Sequence, residues 1–419
     1  MSSMSERTYE VPKPYHDAVM HWQKHNFPDY PLLSQTWDKY FPTDTPFCLC
    51  ARLQESIPEA QPIGDHQGQP RSTRPQDLDP EAAQHLLAII RAQASTEFGS
   101  IQQHQATLDR ANDEQDKMWV LRVMAEELRH GYQMIHLLTS ADWSNVSETK
   151  PADMVEEILS MRTGSHVLAA FNLEYDSFVD NVVFCAFIDR VGKYQLTMQK
   201  AACYRPFAAS MPPMLREEAF HLASGVIPMR RWVEKAASGD PLITMSTLQR
   251  AVNKWFARGL EMFGHEKKGE EVMKLGLKDM TNGEAQDAYI GECRKMLDDF
   301  NRRYARAIEA RGGTVEESDL LRLPDRRFFR RRGEPAFQMI SVDGKAFTDV
   351  DAYVTHLGEV LPEAYLASRD VTHYVDTLRQ LLAGQVTIKD AIKSTPHLAR
   401  VGGACPCSNS VRWVVEDVA

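Results

Sequence analysis

The amino-acid sequence predicts a mainly α protein, built around a four-helix bundle with additional helices and an irregular C-terminal region. Proline placement is the first observation behind this prediction. Eleven of the 22 prolines fall in residues 1–80, whereas 81–150 and 152–205 contain none, so long helices are permitted only after the N-terminal segment. Strand-like alternation is rare. We therefore divide the chain into a Pro-rich segment (1–80), a helical bundle (81–311) and an appended region (312–419).

Apolar periodicity and turn residues place the helices of two successive hairpins. The first hairpin is predicted to run over 81–108 and 113–139, with Asn112 or Asp113 as the N-cap of its second helix. The second is predicted over 166–204 and 214–237, because RPFAASMPP separates the two tracts. A short helix near 153–161, two more at 246–277 and 284–310, helical segments near 350–393 and a strand-like piece, AFQMISVDGKAF, complete the prediction.

Composition limits the partners and the compartment. A net charge of -10 argues against a general nucleic-acid binder. The longest apolar run near the middle of the chain, Val182–Ile188, is far too short to cross a bilayer, so we expect no membrane partner. The first residues lack an apolar signal region, and seven sparse cysteines suit reduced thiols, so we expect a cytoplasmic protein.

Two Glu-x-x-His pairs lie on predicted helices: Glu127 with His130 in AEELRH, and Glu218 with His221 in REEAFH. Both pairs fall on apolar helix stripes. A carboxylate that faces a core costs several kcal/mol unless it is paired or binds a metal. Two such pairs therefore suggest a shared site for two divalent metal ions.

A dinuclear carboxylate site in a four-helix bundle needs one further carboxylate from each remaining helix, as in ferritin-like proteins. Glu97 lies 30 residues before Glu127 on an apolar face. Of the acidic residues on the third helix, only Asp189, 29 residues before Glu218, matches that spacing. We therefore predict a ferritin-like bundle whose metal ligands and catalytic centre are formed by Glu97, Glu127, His130, Asp189, Glu218 and His221.

The ligand set favours iron. Four carboxylates balance two divalent ions, and mixed oxygen and nitrogen ligation with open positions suits redox-active iron, with manganese as the alternative, better than closed tetrahedral zinc. His104 and His136 are interpreted as core or surface histidines rather than as a seventh ligand. Glu126 and Glu217 are predicted to point away to solvent or to a neighbouring helix.

Two features remain outside this site. The segment LPDRRFFRRRG carries a basic cluster, Arg326, Arg327, Arg330 and Arg331, which we predict to bind a phosphorylated substrate or an acidic partner; a solvated face paired with acids is the alternative. Two Cys-x-Cys pairs, Cys48/Cys50 and Cys405/Cys407, could hold a zinc ion only if the chain ends met.

At FIDRVGKYQL and MLREEAFHLASGV the chain resembles the ferritin-like di-iron monooxygenase family that includes benzoyl-coenzyme A 2,3-epoxidase and phenylacetyl-coenzyme A epoxidase. EELRHGYQMIHLL, LEMFGHE, AQDAYIGECRKM and LRLPDRRFFRRRG carry the resemblance further, over about Glu97 to Asp370. The ligands of the family match the six residues above. The sequence departs from the family at Val191, where an acid is usual, and at Phe220, where a histidine is usual; residues 1–80 match poorly.

This resemblance implies two iron ions, dioxygen as co-substrate, an aryl-coenzyme A thioester as substrate, epoxidation as the reaction, and a separate flavin and iron–sulfur reductase as electron source. A di-iron oxygenase that hydroxylates or N-oxygenates another small molecule would use the same site and is the main alternative. Iron storage and a non-catalytic subunit with a structural metal site are the other two.

Overall fold

In the computed structural model of the protein, the described residues are 5–265, 269–324, 337–340, 346–347, 349–360, 375–377, 379–380, 383, 385 and 412–415. Helices dominate this part of the chain, which confirms the mainly α fold class. None of the helices found there is both long enough and apolar enough to cross a membrane.

The N-terminal segment forms a small layer on the bundle. Its strands β1 (Glu6–Tyr9) and β2 (Ala51–Gln54) pair antiparallel, with Glu6 opposite Gln54 and Tyr9 opposite Ala51. Between them lie α1 (Lys13–Asn26), α2 (Tyr30–Gln35) and α3 (Trp37–Tyr40). This segment buries Trp22, Phe27 and Trp37 in a hydrophobic core that continues without interruption into the bundle. The division at residue 80 stays a prediction, but no gap in the core marks it.

The first predicted hairpin is confirmed. It consists of α4 (Pro80–Gln105) and α5 (Glu114–Thr139), which pack along each other. Asp113 is the N-cap of α5, and its carboxylate accepts a hydrogen bond from the Gln115 backbone N–H at 2.9 Å. A short helix, α6 (Pro151–Ser160), follows close to its predicted place.

The second hairpin differs from the prediction at both of its helices. The third bundle helix, α7 (Phe178–Gln199), begins twelve residues later than the predicted start at residue 166. Ser177 and Asp180 form a capping box there, and residues 169–172 form only a 3₁₀ turn. The tract lacks proline, but Phe171 and Tyr175 are buried in the core outside any α-helix, and this packing outweighs helix propensity.

The fourth bundle helix, α8 (Arg205–Ala237), begins nine residues before the predicted start and contains Pro212, Pro213 and Pro228. Pro206 lies in its first turn, where the missing N–H costs nothing. The predicted break at RPFAASMPP is therefore wrong. The first turns of α8 stay helical despite the prolines, because Phe207, Met211 and Met214 are buried in the core.

Helices outside the bundle cover α7 and α8. The predicted helix 246–277 is interrupted: α9 (Met245–Met262) packs on α7, and only a short α10 (Glu270–Lys274) follows, because Gly264 and Gly269 adopt positive φ angles between them. The predicted helix 284–310 is confirmed as α11 (Asn282–Glu309), which packs on α8.

The described part of the appended region is small. Strands β3 (Phe337–Ile340), β4 (Ala346–Phe347) and β5 (Arg412–Val415) form an antiparallel sheet in the order β4-β3-β5, in agreement with the predicted strand-like piece. A helix, α12 (Val350–Val360), lies where helical structure was predicted. The remainder of 350–393 lies largely outside the described residues.

Gly225 sets the separation of α7 and α8. A Cβ atom at this position would clash with the Ala186 backbone nitrogen, so only glycine permits the two helix backbones to approach so closely. We expect Gly225→Ala to lower the free energy of unfolding by at least about 2 kcal/mol, because backbone atoms cannot move aside as a side chain would.

Gly291 provides the matched control for this prediction. It lies within α11, and no atom lies within 4 Å of a Cβ built there. Gly291→Ala should therefore raise the free energy of unfolding by about 0.5–1 kcal/mol, since alanine loses less backbone entropy in a helix. Urea unfolding of both variants measures the difference, and equal effects would contradict the role of Gly225.

Candidate metal centre

Four helices bring the six predicted side chains into one buried cluster. Glu97 comes from α4, Glu127 and His130 from α5, Asp189 from α7, and Glu218 and His221 from α8. Every one of these side chains is buried, from His221, which is fully inaccessible, to Glu97, which is 9% exposed. The structure therefore places all six together, although their role as metal ligands stays a prediction.

The six side chains form two overlapping groups of donor atoms. Glu97, Glu127 and His130 offer ligand atoms within 4.8 Å of one another, and so do Glu127, Asp189 and His221. Glu127 belongs to both groups: its Oε2 lies 3.7 Å from His130 Nδ1 and its Oε1 lies 3.7 Å from His221 Nδ1. The two oxygens of Glu127 therefore face different histidines, one in each group.

The carboxylates of Glu97 and Glu218 each lie beside one of the two histidines. Glu97 Oε2 lies 3.7 Å from His130 Nδ1, and Glu218 Oε2 lies 3.6 Å from His221 Nδ1. Both imidazoles thus direct Nδ1 towards carboxylates. The ring centroids lie 5.5 Å apart.

Glu126 and Glu217 lie beside the opposite nitrogens of these two rings, and Glu217 is hydrogen-bonded to its ring. Glu217 Oε2 lies 2.9 Å from His130 Nε2, and Glu126 Oε2 lies 3.2 Å from His221 Nε2, so each carboxylate reaches the histidine of the other helix. Both are buried, so of the two predicted surroundings, solvent or a neighbouring helix, the structure shows the neighbouring helix. The signal was the Glu-Glu doublet in EELRH and REEAFH: neighbouring helix positions differ by 100°, so one carboxylate enters the cluster and the other meets the facing helix.

Arginines balance these two outer carboxylates. Arg129 Nη2 donates to Glu217 Oε1 at 2.5 Å, and Arg52 on β2 also pairs with Glu217. Arg122 Nε donates to Glu126 Oε1 at 3.1 Å. Burial raises the pKa of Glu126, but His221, Arg122 and Arg129 outweigh burial and hold that pKa below its ordinary value. The sequence alone gave no reason to select these arginines.

Among the described residues, the inner carboxylates lie beside His130 and His221 but pair with no arginine or lysine. Burial, together with the charge of Glu97, raises the pKa of Glu127 well above its ordinary value. Burial also raises the pKa of Asp189 to about 8, although His221 opposes the shift. The four inner carboxylates therefore cannot all be ionised at neutral pH unless additional positive charge is present.

Several inner polar atoms lack a hydrogen-bond partner: His130 Nδ1, His221 Nδ1, Asp189 Oδ2 and Glu218 Oε2. Buried polar atoms without partners cost about 1–3 kcal/mol each. The separations of 3.6–3.7 Å between the nitrogens and the carboxylate oxygens are too long for hydrogen bonds. Donor atoms that surround a common point and lack both partner and countercharge fit divalent metal ions.

The positions that depart from the resembled family lie beside this cluster. Val191 lies on α7, two residues after Asp189, and is fully buried in the core. The Phe220 ring packs against the Arg122 guanidinium, with 3.8 Å between the ring centroid and the guanidinium carbon. Phe220 therefore supports the arginine that pairs with Glu126. Neither departure removes one of the six donors.

His104 and His136 lie outside both donor groups. His104 is fully buried; its Nδ1–H donates to Asn181 Oδ1 at 2.8 Å, and its ring meets Tyr175 edge-on. His136 stacks on Tyr9 at 5.0 Å between ring centroids. The predicted basic cluster, Arg326, Arg327, Arg330 and Arg331, lies outside the described residues, as do Cys405 and Cys407.

Comparisons with known proteins match the part of the chain that carries this cluster. The family described as phenylacetic acid catabolic protein matches residues 72–317, which include all four bundle helices. A stretch of 218 residues is 26% identical to benzoyl-CoA oxygenase component B of Aromatoleum evansii. That alignment covers 49% of this chain and 45% of the relative, so the similarity spans less than half of the relative's length.

Burial disfavours the charged form of His104, so we expect the stability of the protein to depend on pH. Desolvation lowers the pKa of His104 to about 4 in the folded chain, against 6.5 in an unfolded one. Between these values the unfolded state binds the extra proton, so stability falls as the pH falls from 6.5 to 4 and this loss ends below pH 4. The contribution is about 3 kcal/mol.

His104→Asn keeps a donor to Asn181 but cannot take up this proton. We expect the stability difference between wild type and variant to shrink by up to about 3 kcal/mol between pH 7 and pH 4. Urea unfolding with a chelator present measures this, and His25→Asn, at an exposed position of α1, is the control. Parallel profiles for wild type and His104→Asn would refute the assignment.

Proposed function

Because the chain belongs to the phenylacetic acid catabolic protein family, we propose that it is a di-iron oxygenase that acts on an aryl-coenzyme A thioester. The observation that carries the proposal is the pair of buried donor groups that share Glu127. A structural salt-bridge network would not leave its innermost nitrogens and oxygens unpartnered.

The six inner residues would hold two iron ions. Glu127 would bridge them, Glu97 and His130 would complete one half, and Asp189, Glu218 and His221 would complete the other. Their four carboxylate charges match the four positive charges of two ferrous ions, which removes the electrostatic reason for protonated carboxylates. Carboxylate oxygens and imidazole nitrogens suit iron, and manganese fits the same ligands less specifically.

Iron held by these residues would supply the electrons for dioxygen activation, and the chain contributes orientation and a water-poor setting. Glu126 and Glu217 hold the histidine rings so that Nδ1 faces the carboxylates. Ile101, Val123, Cys185 and Met214 lie one helical turn from a ligand, and all are buried. This apolar layer excludes bulk water from the reacting atoms.

The substrate proposal draws on the relative, whose name states that it is a component of a benzoyl-CoA oxygenase. We propose that an aryl-coenzyme A thioester is epoxidised and that a separate flavin and iron–sulfur reductase supplies electrons. The Arg326–Arg331 cluster, outside the described residues, is the proposed contact for the coenzyme A phosphates. Hydroxylation or N-oxygenation of another small molecule is the alternative for the same centre.

Metal content tests the ligand assignment. Anaerobic loading with ferrous ions should give about two irons per chain. Glu127→Ala should lose both ions because Glu127 belongs to both donor groups, whereas Glu97→Ala should retain about one because Glu97 belongs to a single group. Glu126→Gln should retain both ions with affinity weakened about 10- to 100-fold. Elemental analysis and metal titration measure these values.

The matched control for these variants is Glu234→Ala, which removes a half-exposed carboxylate of α8 that pairs with Arg303. It should leave metal content unchanged. A single zinc ion per chain, or full iron content in Glu127→Ala and His221→Ala, would contradict the proposed centre.

Isotope labelling tests the reaction. Chemically reduced, iron-loaded protein should convert benzoyl-CoA, under labelled dioxygen, to a product that carries one labelled oxygen atom. Free benzoate should not react at a comparable rate, since it lacks the coenzyme A group that positions the ring. Glu127→Ala is the inactive control.

Mass spectrometry of the product distinguishes the outcomes. A labelled epoxide, or the diol formed from it, supports epoxidation. A labelled phenol supports the hydroxylation alternative instead, and an unlabelled product or no product from any thioester would refute the substrate class.

A further inference from the structure

Cys48 and Cys50 form a thiol pair beside the candidate metal centre. Both precede β2, and neither takes part in a disulfide. Cys48 is exposed and Cys50 is 4% exposed. The Cys50 thiol donates to the Cys48 carbonyl oxygen at 3.8 Å. One sulfur is therefore open to solvent while its neighbour is close and shielded.

Arg129 connects this pair to the cluster. Its Nη1 donates to the Cys48 carbonyl oxygen at 3.1 Å, and its guanidinium lies 4.2 Å from the centroid of the Phe47 ring. Its Nη2 donates to Glu217, which in turn lies 2.9 Å from His130 Nε2. Three consecutive contacts therefore join the Cys48 backbone to a proposed ligand histidine.

A second connection runs through β2. Arg52, two residues after Cys50, pairs with Glu217, and its backbone N–H donates to Gln133 Oε1 on α5 at 2.6 Å. The segment that carries both cysteines is thus attached on both sides to groups that hold Glu217. A change in its backbone would be transmitted to that carboxylate.

We propose that Cys48 and Cys50 are a redox modification site: a hydroperoxide converts them to a reversible disulfide, and the disulfide weakens the hold of Arg129 and Glu217 on His130. The second half of this proposal rests on the proposed metal centre, whereas disulfide formation does not.

The chemistry balances with a peroxide as the oxidant. The Cys48 thiolate attacks one peroxide oxygen, the O–O bond breaks, and a sulfenic acid and hydroxide form; the hydroxide takes up the thiol proton as water. Cys50 sulfur then attacks the sulfenic sulfur and displaces its oxygen as a second water. Two thiols lose two electrons and two protons, and hydrogen peroxide becomes two water molecules.

The order of attack follows from exposure. Only Cys48 meets solvent, and burial raises the pKa of the Cys50 thiol to about 12, so Cys50 acts second. Cys185, Cys203 and Cys293 are buried and serve as internal controls in the same chain.

Ring closure between residues i and i+2 constrains the backbone between them, because a disulfide holds its two Cα atoms about 4.4–6.8 Å apart. The Cys48 carbonyl lies inside the ring that forms. Its hydrogen bond from Arg129 is therefore the contact most exposed to the change.

Peptide mapping of the full chain tests the modification. Treatment with hydrogen peroxide at modest excess should remove two free thiols, yield a peptide that contains the Cys48–Cys50 disulfide, and leave Cys185 reduced; dithiothreitol should restore both thiols. Cys50→Ser should instead accumulate sulfenic acid at Cys48, and Cys48→Ser should be inert.

Two outcomes would overturn the proposal. One is irreversible oxidation of Cys48 to sulfinic acid in wild type while Cys50 stays a free thiol. The other is a tightly bound zinc ion that thiol reagents release and that Cys405→Ser also abolishes, because the four cysteines would then be a zinc site.

Cobalt titration under argon tests the link to the metal centre. We expect the disulfide form to bind Co²⁺ about 10-fold more weakly than the reduced form, as for other losses of ligand support. The doubly substituted Cys48→Ser/Cys50→Ser protein, treated with peroxide in parallel, should show no such change.

The titration separates the two proposals. If reduced wild type fails to bind Co²⁺, the proposed metal centre is wrong, whatever the cysteines do. If reduced and oxidised forms bind Co²⁺ equally well, the centre stands and the coupling through Arg129 is overturned.

Discussion

The burial of six carboxylates between four helices is the constraint on which the rest of the structure depends. Two of them, Glu126 and Glu217, face guanidinium groups and the outer nitrogens of histidines, so their charges are balanced within the chain. The other four, Glu97, Glu127, Asp189 and Glu218, face one another and two imidazole nitrogens. Arginines balance the charges of Glu126 and Glu217 but not those of the four inner carboxylates. The excess negative charge is therefore concentrated at the four inner carboxylates. A general excess of acid would not produce this separation.

Close packing of the helices makes such a small cluster possible. Gly225 brings the α8 backbone against Ala186 on α7, and Gly192 leaves room for the Glu218 carboxylate, whose Oε1 would lie 3.1 Å from an added Cβ. Asp189 and His221 thereby enter one group with Glu127 from the other hairpin. One donor group comes from the first hairpin alone, whereas the other combines Glu127 with Asp189 and His221 of the second hairpin. The packing between the hairpins therefore determines how the two groups share Glu127.

The sequence predicted the inner cluster because helical periodicity fixes where residues three apart point and because the two hairpins have nearly equal ligand spacing. The sequence-based prediction was wrong where packing between distant parts of the chain determines where a helix begins or ends. Phe171 and Tyr175 lie outside the helix and fill the core, which a Pro-free tract does not reveal. Helix α8 continues through Pro212 and Pro213 because its buried face is held on several sides.

Glu126 and Glu217 each form part of a Glu-Glu doublet that the sequence shows. Their contacts with the histidine of the facing helix could not be predicted, because the sequence does not show which helices face each other. The pairing of β1 with β2 depends on residues far apart in the chain, and local pattern carries no information about it.

The N-terminal segment takes part in the site although it precedes most of the matched family region, 72–317. Arg52 pairs with Glu217, Asp44 pairs with Arg122, and the Cys48 carbonyl accepts from Arg129. Without these contacts, Arg122, Arg129 and the Glu217 carboxylate would each lose a partner in a buried setting, which costs more than the same loss at a surface. The four helices supply the inner donors, and the segment before residue 80 supplies part of the charge that orients them. A boundary drawn from proline content therefore separates two kinds of local structure but cuts through a single electrostatic unit.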